Sequence, residues 1–567
     1  MKIKLVQMNS VQNQIMTNLN FVLNEIENAK QTCDVIVFPE LCLSSTMAMD
    51  NFDNQFFIND LLEANQKIVE ASSGIHVIWG NIGQQQTLLL NCGYVAFNQE
   101  IIFQINKMFS ATSTLNSIKQ YFVHTPQKTA NTFTINDKIC SLFINHDMRV
   151  FNHDHVDVIF HLDSHYYREY DDQRPFFNYE LRQEQALVSC NGVNIVNNGK
   201  HIAINDGCSF IMRNGIREVL NQEFKTESRV IDTNHLVDTP VNRNRLFIAL
   251  VSMIKEMDQQ LFSYQPKWNV GVSGGLDSSV TVALLSYALG NDRVIGANLS
   301  TRHNSERTIK NAKWVTEKLG VQLVETSIEH LVKETLVSMK DFGYNQLEGL
   351  AYENIQARLR GHLLSTLSSL NNGLVSNNTN KIESALGYGT LYGDTIGAIG
   401  FLADCTKMDV VRLAVEINKA YGQEVVPQNL LPKETEQGLE WDFMPSAELA
   451  ENQRDPMKWG YHDYLVNRLL QGHSQLEEIL MDYKNKVLHT STVGKYLSVY
   501  GLDEPKEFIK DLLWVVKNMN RNVFKRIQGA PTLVVSDKVI GLDTHEIQGP
   551  LIMSKKAKQL IKEIENA

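Results

Sequence analysis

Residues 271–279 read Gly271-Val272-Ser273-Gly274-Gly275-Leu276-Asp277-Ser278-Ser279, and what surrounds them decides the fold of the second half of the chain. Upstream, 267–273 (KWNVGVS) reads as a strand; downstream, Val280, Val282, Leu284 and Leu285 mark a helix to about 290. At such a junction the first free N–H groups of the helix point outward and its dipole favours negative charge. Glycines let the backbone curl close around an anion, and the hydroxyls of Ser273, Ser278 and Ser279 add donors. A two-glycine turn alone would mean only a capped helix. The ordered Ser-Gly-Gly-x-Asp-Ser-Ser string points to a phosphate site. It lacks the Gly-Lys-Ser/Thr ending of a Walker loop.

Outward from this loop the alternation of strand and helix continues. A helix at about 244–262 precedes it; a strand at 293–299 (RVIGANL) and a helix at 305–319 follow. The first forty residues repeat the theme: a strand at 2–8, helical spacing over 17–31, and a near-continuous apolar run at 34–39 (DVIVFP), as a strand covered on both faces needs. Further buried strands are expected at 75–80, 139–144, 156–160 and 193–197, and the polar stretch 232–245 reads as a linker. Two α/β domains follow, 1–235 and 236–567.

The 567 residues are 43% hydrophobic and 21% charged, values of a globular chain. A formal net charge of −11 gives no overall attraction to nucleic-acid backbones. The seven cysteines are scattered without a Cys-x-x-Cys pair, as in a reduced cytoplasmic protein rather than a disulfide framework or zinc ribbon. No apolar run reaches the length of a membrane span, and the N-terminus lacks a signal-peptide core.

The loop at 271–279 resembles the pyrophosphatase loop of enzymes that split ATP into AMP and pyrophosphate. In such a site Asp277, an acid inside an anion cradle, would hold a Mg²⁺ that bridges the leaving pyrophosphate oxygens. Leu350-Ala351-Tyr352-Glu353-Asn354-Ile355-Gln356-Ala357-Arg358-Leu359-Arg360-Gly361 and the run GYGTLYGD at 387–394 are similar to segments of NAD synthetases. So are Asp404-Cys405-Thr406-Lys407, Pro445-Ser446-Ala447-Glu448-Leu449 with Gln453 and Asp455 behind it, and Phe524-Lys525-Arg526. The resemblance implies a doubly wound parallel-sheet domain of the adenine nucleotide α-hydrolase-like kind. It implies amidation of deamido-NAD (nicotinic acid adenine dinucleotide) to NAD, with ATP as substrate and Mg²⁺ as cofactor.

By that resemblance Gly271, Ser273, Gly274, Gly275, Asp277, Ser278, Asn378 and Lys407 would bind ATP. Asp277, Glu383 and Ser446 would hold Mg²⁺, and Asn354, Arg358, Arg360, Lys525 and Arg526 would bind deamido-NAD. Asp277, Lys407 and Ser446 would serve the chemistry. Taken singly, Arg358 and Arg360 would be a solvated helix face and Lys407 a surface lysine; their occurrence together with the loop reverses that reading. One departure stands out: where the family reads Thr-Thr-Gly-Asn-Lys-Ser-Glu, this chain has Asn377-Asn378-Thr379-Asn380-Lys381-Ile382-Glu383, so that an amide replaces a hydroxyl at 378.

Residues 1–230 resemble the nitrilase-like glutaminase domain that many NAD synthetases carry, an α/β sandwich with a Glu base, a Lys and a Cys nucleophile. Val37-Phe38-Pro39-Glu40-Leu41 matches the base motif, and Lys107 the lysine. The register is supported by Tyr121-Phe122, by Ser164 and Arg174, and by Asp206-Gly207-Cys208-Ser209-Phe210. The nucleophile strand, however, ends Ile144-Asn145-His146-Asp147-Met148-Arg149, with Asn145 at the cysteine position. Ser113, Ile118, Tyr170 and the stretch Lys200-His201-Ile202 also depart from the pattern. An amide cannot replace a thiolate in forming a thioester, so the glutaminase site reads as degenerate. Retention of Glu40 and Lys107 is expected on structural grounds, because a buried ion pair costs about 3–5 kcal/mol to break from one side. Cys140 lies at an odd offset from Asn145, which puts it on the opposite strand face. His146, Asp147, His153, Asp154 and His155 fit no standard metal-ligand spacing and read as solvated loop residues.

The expectation is therefore an ammonia-dependent NAD synthetase, a cytoplasmic homodimer or larger homo-oligomer, without nucleic-acid or membrane partners. Two alternatives stay open: glutamine use through residual or partner-supplied glutaminase, and another ATP-pyrophosphatase or a non-catalytic sensor of the NAD precursor.

Overall fold

The computed structural model describes residues 1–108, 121–123, 132–145, 147, 155–169, 181–242, 244–435, 438–442, 445–446, 448–450, 455–472, 475–544 and 546–566. Two compact units, Met1–Leu261 and Phe262–Ala567, make up the chain. The sequence places a boundary at 235/236; the compact units part later because the helix Leu246–Gln260 packs on the strand His201–Ile204. Its first turn is anchored there by Arg245, whose Nη2 donates to the Asp206 carboxylate at 2.6 Å.

In the first unit two six-stranded sheets stack face to face. One runs Glu227–Asp232, Lys2–Gln7, Val35–Val37, His76–Gln85, Leu88–Phe97, Glu100–Asn106; the other Ile216–Val219, Phe210–Arg213, Ala186–Cys190, Val158–Leu162, Lys138–Ile144, Thr132–Ile135. Strand alternation sorts the side chains. Ile3, Leu5, Val35 and Val37 meet Cys140, Leu142, Ile144 and Phe160 between the sheets. Val6, Ile36 and Phe38 point the other way, onto Leu19, Val22 and Ile26 of the helix Ile15–Ala29 and Leu61 and Ile68 of the helix Gln55–Ala71. Both faces of the Val35–Val37 strand are thus covered, which is why 34–39 carries no polar alternation. The outer face of the second sheet gathers Phe143, Ile159, Leu187 and Phe210.

In the second unit six strands run parallel in the order Thr532–Leu533, Ile399–Gly400, Gly373–Asn377, Lys267–Gly271, Val294–Ser300, Gln322–Ser327. The chain leaves Lys267–Gly271 for Val294–Ser300 on one side and later returns to Gly373–Asn377 on the other. Such a switch point opens a crevice beyond the carboxyl ends of the two diverging strands, where ligands of open α/β sheets bind. The helix Leu276–Leu289 that follows the glycine loop is buried nearly all round, from Val280 and Val282 to Leu284 and Leu285, as a wedged core helix should be. Among the described residues, no helix is long and apolar enough to cross a membrane.

Candidate functional site

At the switch point the glycine loop, the segment after Gly373–Asn377 and the start of the helix Lys407–Tyr421 wall a cavity of about 370 Å³. Gly274 holds φ +85, and a Cβ there would stand 1.9 Å from the Thr308 carbonyl. The loop therefore lies flush against the first turn of the helix Glu306–Leu319. The Ser278 and Ser279 hydroxyls donate to the Gly275 carbonyl at 3.1 and 2.8 Å, and the Ser273 hydroxyl lies 3.2 Å from that of Ser278. Gly271, Ser273, Gly275, Asp277 and Ser278 line the cavity.

Three ionisable groups converge on its floor. Lys407 Nζ lies 2.5 Å from Asp277 Oδ2 and 3.7 Å from Glu383 Oε1, and 4.9 Å from the centre of the Trp459 ring. Burial alone would lower the Lys407 pKa, but the Asp277 carboxylate, with Glu383 and Asp455 adding, raises it, so the ammonium stays charged. Burial pushes Glu383 up to about 8, against the pull of Lys407 and with Asp277 as a repelling neighbour. Negative charge is under-compensated at this spot. Glu383 sits in the first turn of the helix Lys381–Leu386, where Asn380 forms a capping box with it. Asn380 also points Nδ2 at Asp277, 3.4 Å away.

Of the four carboxylates that line the cavity, Asp277 and Glu383 flank the Lys407 ammonium; with the Ser446 hydroxyl they offer hard oxygens of the kind Mg²⁺ takes when ligand phosphates complete its shell. A divalent cation would offset the burial that raises the Glu383 pKa and the repulsion from Asp277, so the residues fit one. Among the described residues no group of three or more His, Cys, Asp or Glu side chains is placed to hold a metal.

The remaining sequence-chosen residues divide. Arg360 reaches the cavity and is half-buried, its Nε donating to the Leu299 carbonyl at 2.8 Å; desolvation lowers its pKa to about 10. Asn378 lines the cavity too, donating to the Gly271 carbonyl at 2.9 Å while accepting from the Ser376 hydroxyl at 2.9 Å. An amide can thus fasten this segment to the start of the loop. Asn354, Arg358, Lys525 and Arg526 are not in the cavity wall. Asn354 accepts from the Thr390 hydroxyl at 2.6 Å, and Arg358 donates to the Leu391 carbonyl at 3.2 Å. Lys525 donates to the Gly387 and Gly389 carbonyls at 3.0 and 2.8 Å. Arg526 is engaged by the Ala385 and Met519 carbonyls and by Glu546. All four hold the 385–394 segment or its neighbourhood, and that segment supplies Tyr388, Gly393 and Asp394 to the cavity. Ala447 and Gln453 lie outside the described residues. Trp459 and Asp394 escaped the sequence reading; only their position inside or just beyond a motif pointed to them.

In the first unit Glu40 is buried at the end of its strand segment. Its Oε1 accepts from Lys107 Nζ at 2.6 Å and Asn91 Nδ2 at 2.7 Å, while Ser164 donates to Oε2. Burial would raise its pKa, but Lys107, then Ser164 and Asn91, bring it below the usual carboxylate value. Asn145 places Nδ2 3.5 Å from Glu40 Oε2. The strand ends at Ile144 and Asn145 adopts φ +51, so strand parity, the basis for separating it from Cys140, does not extend to it. The separation has another cause: Cys140 belongs to the core between the sheets, and burial raises its thiol to about 12. The void beside Glu40, lined by Ser10, Ser164 and Asn205 among others, has a volume near zero. Ser113, Ile118, His146, Met148, Arg149, His153, Asp154, Tyr170 and Arg174 lie outside the described residues.

These two sites define the class: an α/β protein with a nucleotide-type anion loop in one unit and a nitrilase-like carboxylate–lysine pair in the other. Residues 250–500 match the family model described as NAD synthase. The glutamine-dependent NAD(+) synthetase of Thermotoga maritima is 29% identical over 304 residues, 54% of this chain and 47% of that protein. The match thus spans about half the length of that relative. The NH(3)-dependent NAD(+) synthetase of Chlorobium phaeobacteroides is 33% identical over 201 residues, 35% of this chain and 65% of that protein. A solved structure, the glutamine-dependent NAD+ synthetase of Acinetobacter baumannii in complex with adenosine diphosphate, superposes with a TM-score of 0.69 at 23% identity, over 96% of this chain and 97% of that one. The fold is that of the two-domain glutamine-dependent NAD synthetases.

Proposed function

We propose that this protein is an NAD synthetase that amidates deamido-NAD at the expense of ATP and takes free ammonia as its nitrogen donor. The observation that carries the synthetase reading is the convergence of Asp277, Glu383 and Lys407 beneath the 271–279 loop in one switch-point cavity. The nicotinate carboxylate oxygen attacks the α-phosphorus of ATP and pyrophosphate leaves. Ammonia then attacks the adenylated carbonyl, AMP departs, and one proton is released. Backbone N–H groups and hydroxyls of the loop hold the polyphosphate. The Lys407 ammonium, kept charged by its carboxylates, faces the triphosphate. Mg²⁺, held by Asp277, Glu383 and Ser446, would neutralise charge on the leaving pyrophosphate. Arg360 supplies a half-buried cation for the dinucleotide, and Asn354, Arg358, Lys525 and Arg526 support it by fixing the 385–394 wall.

The ammonia assignment rests on Asn145. Its Nδ2 lies 3.5 Å from Glu40 Oε2; the resemblance aligns it with the family's nucleophile, and a carboxamide forms no thioester. The functional division is then a silent nitrilase-like domain, 1–235, and a synthetase domain, 236–567. The decisive assay is NAD formation from deamido-NAD, Mg²⁺ and ATP with ammonium against glutamine. Robust turnover with ammonium and a rate with glutamine at least 10³-fold lower are expected, since losing a hydrolase nucleophile costs up to about 10⁶ in rate. Comparable rates would reject the ammonia-only reading. Inertness with both donors would reject the synthetase and favour a sensor. The relatives named glutamine-dependent favour a second reading, a separate glutaminase that docks; glutamine use would then appear only on adding a cell extract.

A further inference from the structure

The Glu448 carboxylate points away from the Asp277–Lys407 pair and has a post of its own. Oε2 accepts from the Ser305 backbone N–H at 3.3 Å and Asn304 Nδ2 at 3.2 Å, and the Thr308 hydroxyl lies 2.7 Å away. These donors form the N-terminus of the helix Glu306–Leu319, where a negative charge is favoured by the helix dipole. The partners are more than a hundred residues away in sequence, so the contact fastens one segment to another and does not shape a local turn. Glu448 is buried and holds φ +50, a left-handed backbone that a glutamate adopts only when its surroundings impose it.

The fastened segment carries Pro445, Ser446 and Leu449 into the cavity wall. The Glu448 N–H donates to Ser446 Oγ at 3.1 Å, so that hydroxyl accepts from its own segment and keeps its proton for donation. A second tie lies one residue on: Gln356 Nε2 donates to the Leu449 carbonyl at 2.8 Å, and the Thr301 hydroxyl donates to Gln356 Oε1 at 3.1 Å. The same first turn of Glu306–Leu319 abuts the phosphate loop through the Thr308 carbonyl and Gly274, and Asn311 Nδ2 reaches the Gly274 carbonyl at 3.4 Å. One helix N-terminus therefore references two walls of the cavity to each other.

We propose that Glu448 is a positioning residue, which latches the 445–449 segment to the helix Glu306–Leu319 and so sets the Ser446 hydroxyl at a fixed place relative to the phosphate loop. This deepens the synthetase reading and rests on it: the group so placed is one that meets ATP phosphate. A latch that orders one hydroxyl against the adenylyl group in transfer acts on turnover more than on the binding of the whole nucleotide, because misplacement by about 1 Å costs on the order of 10²-fold in rate.

The experiment uses the full chain and three variants, Glu448→Ala, Glu448→Gln and Thr308→Val, each measured for melting temperature, ATP affinity and ammonium-dependent kcat and KM. Glu448→Ala is expected to lower kcat by at least tenfold with ATP affinity changed less than threefold. Glu448→Gln keeps an oxygen acceptor of the same reach and is expected to hold kcat within about threefold of wild type. Thr308→Val, which removes one donor to the latch, should fall between them and answers the question if Glu448→Ala does not fold. A kcat of folded Glu448→Ala equal to wild type, a Glu448→Gln variant as impaired as Glu448→Ala, or a loss confined to melting temperature would each overturn the latch. If the wild-type protein itself shows no turnover with ammonium, the synthetase reading fails first, and the separate ATP affinities show which of the two is at fault.

Discussion

Glu383 shows how far one residue's environment can be read as energy. Its carboxyl is raised from an ordinary 4.5 to about 8 in the ligand-free cavity, by burial first and the Asp277 charge beside it. A carboxylic acid with a raised folded-state pKa binds more protons folded than unfolded between those two values, so stability falls as pH climbs through that window. Below about 4.5 both states hold the proton and nothing is lost; above about 8 the full cost is present. Glu383→Gln keeps the shape of the protonated side chain without the charge. In chelator-treated protein this variant is expected to melt close to wild type at pH 5 and several degrees higher at pH 8.5, read by calorimetry across the range. A melting-point gap that stays flat with pH would mean that Glu383 is ionised throughout. Mg²⁺ is expected to raise the melting temperature of the wild type, and the same substitution should abolish that rise, since one of the two proposed carboxylate ligands is gone.

The strand–loop–helix at 267–289 was legible because its chemistry is local: an apolar strand, two glycines, hydroxyls and an N-terminal acid within thirteen residues of sequence need no distant partner to be recognised. Gly274 is where that element is most exacting. A left-handed residue with a Cβ costs about 1–2 kcal/mol, and here the Cβ would also press on the Thr308 carbonyl from 1.9 Å. Gly274→Ala is thus expected to lower the melting temperature and to weaken ATP binding at least tenfold in equilibrium titration; wild-type affinity would show that the loop does not cradle phosphate in this conformation. Elements that depend on distant partners were read less well. Val35–Val37 announced itself by its unbroken apolar run, whereas the antiparallel strands Leu88–Phe97, buried but interrupted by Asn91 and Gly93, and Glu100–Asn106, exposed over most of its length, carried no such mark. Likewise Lys407 could be matched to a motif, but its stacking on Trp459 and the Glu448 latch depend on folding that brings remote segments together. Arg526 read as a ligand-binding cation because charge is visible in sequence; that three partners already engage it is not.

For the whole molecule, the surface of the second unit leaves one face unaccounted for. The helix Leu350–Leu370 is 21 residues long, yet only Gln356, Ala357 and Gly361 of it are buried. Leu350 and Leu370 at its ends are 71% and 78% exposed, and Phe342, just beyond the helix Glu329–Asp341, is 74% exposed. Val337 and Tyr344 add to the same region. Single exposed apolar residues are ordinary; a run of large ones along two consecutive helices marks an interaction surface. A second copy of the chain is the occupant we propose: Phe342, Tyr344 and Leu350 follow one another at the N-terminal end of this helix, and an isologous contact there would cover that end on both copies. A stable dimer of this kind needs about 1,200–2,000 Å² of total buried area, so neighbouring surface would have to join the helix end in the contact. The helix also carries Arg360 into the cavity, so pairing would stiffen a wall of the site, and activity should follow assembly. Sedimentation of the wild type is expected to give a dimer or a larger even-numbered assembly. The double variant Phe342→Glu/Leu350→Glu places two charges on that apolar end of the helix. It should sediment as a monomer, keep its melting temperature within a few degrees, and lose turnover in proportion to the dimer lost on dilution. A double variant that still sediments like the wild type would place the assembly surface elsewhere. A fully active monomer would leave the association without a role in catalysis.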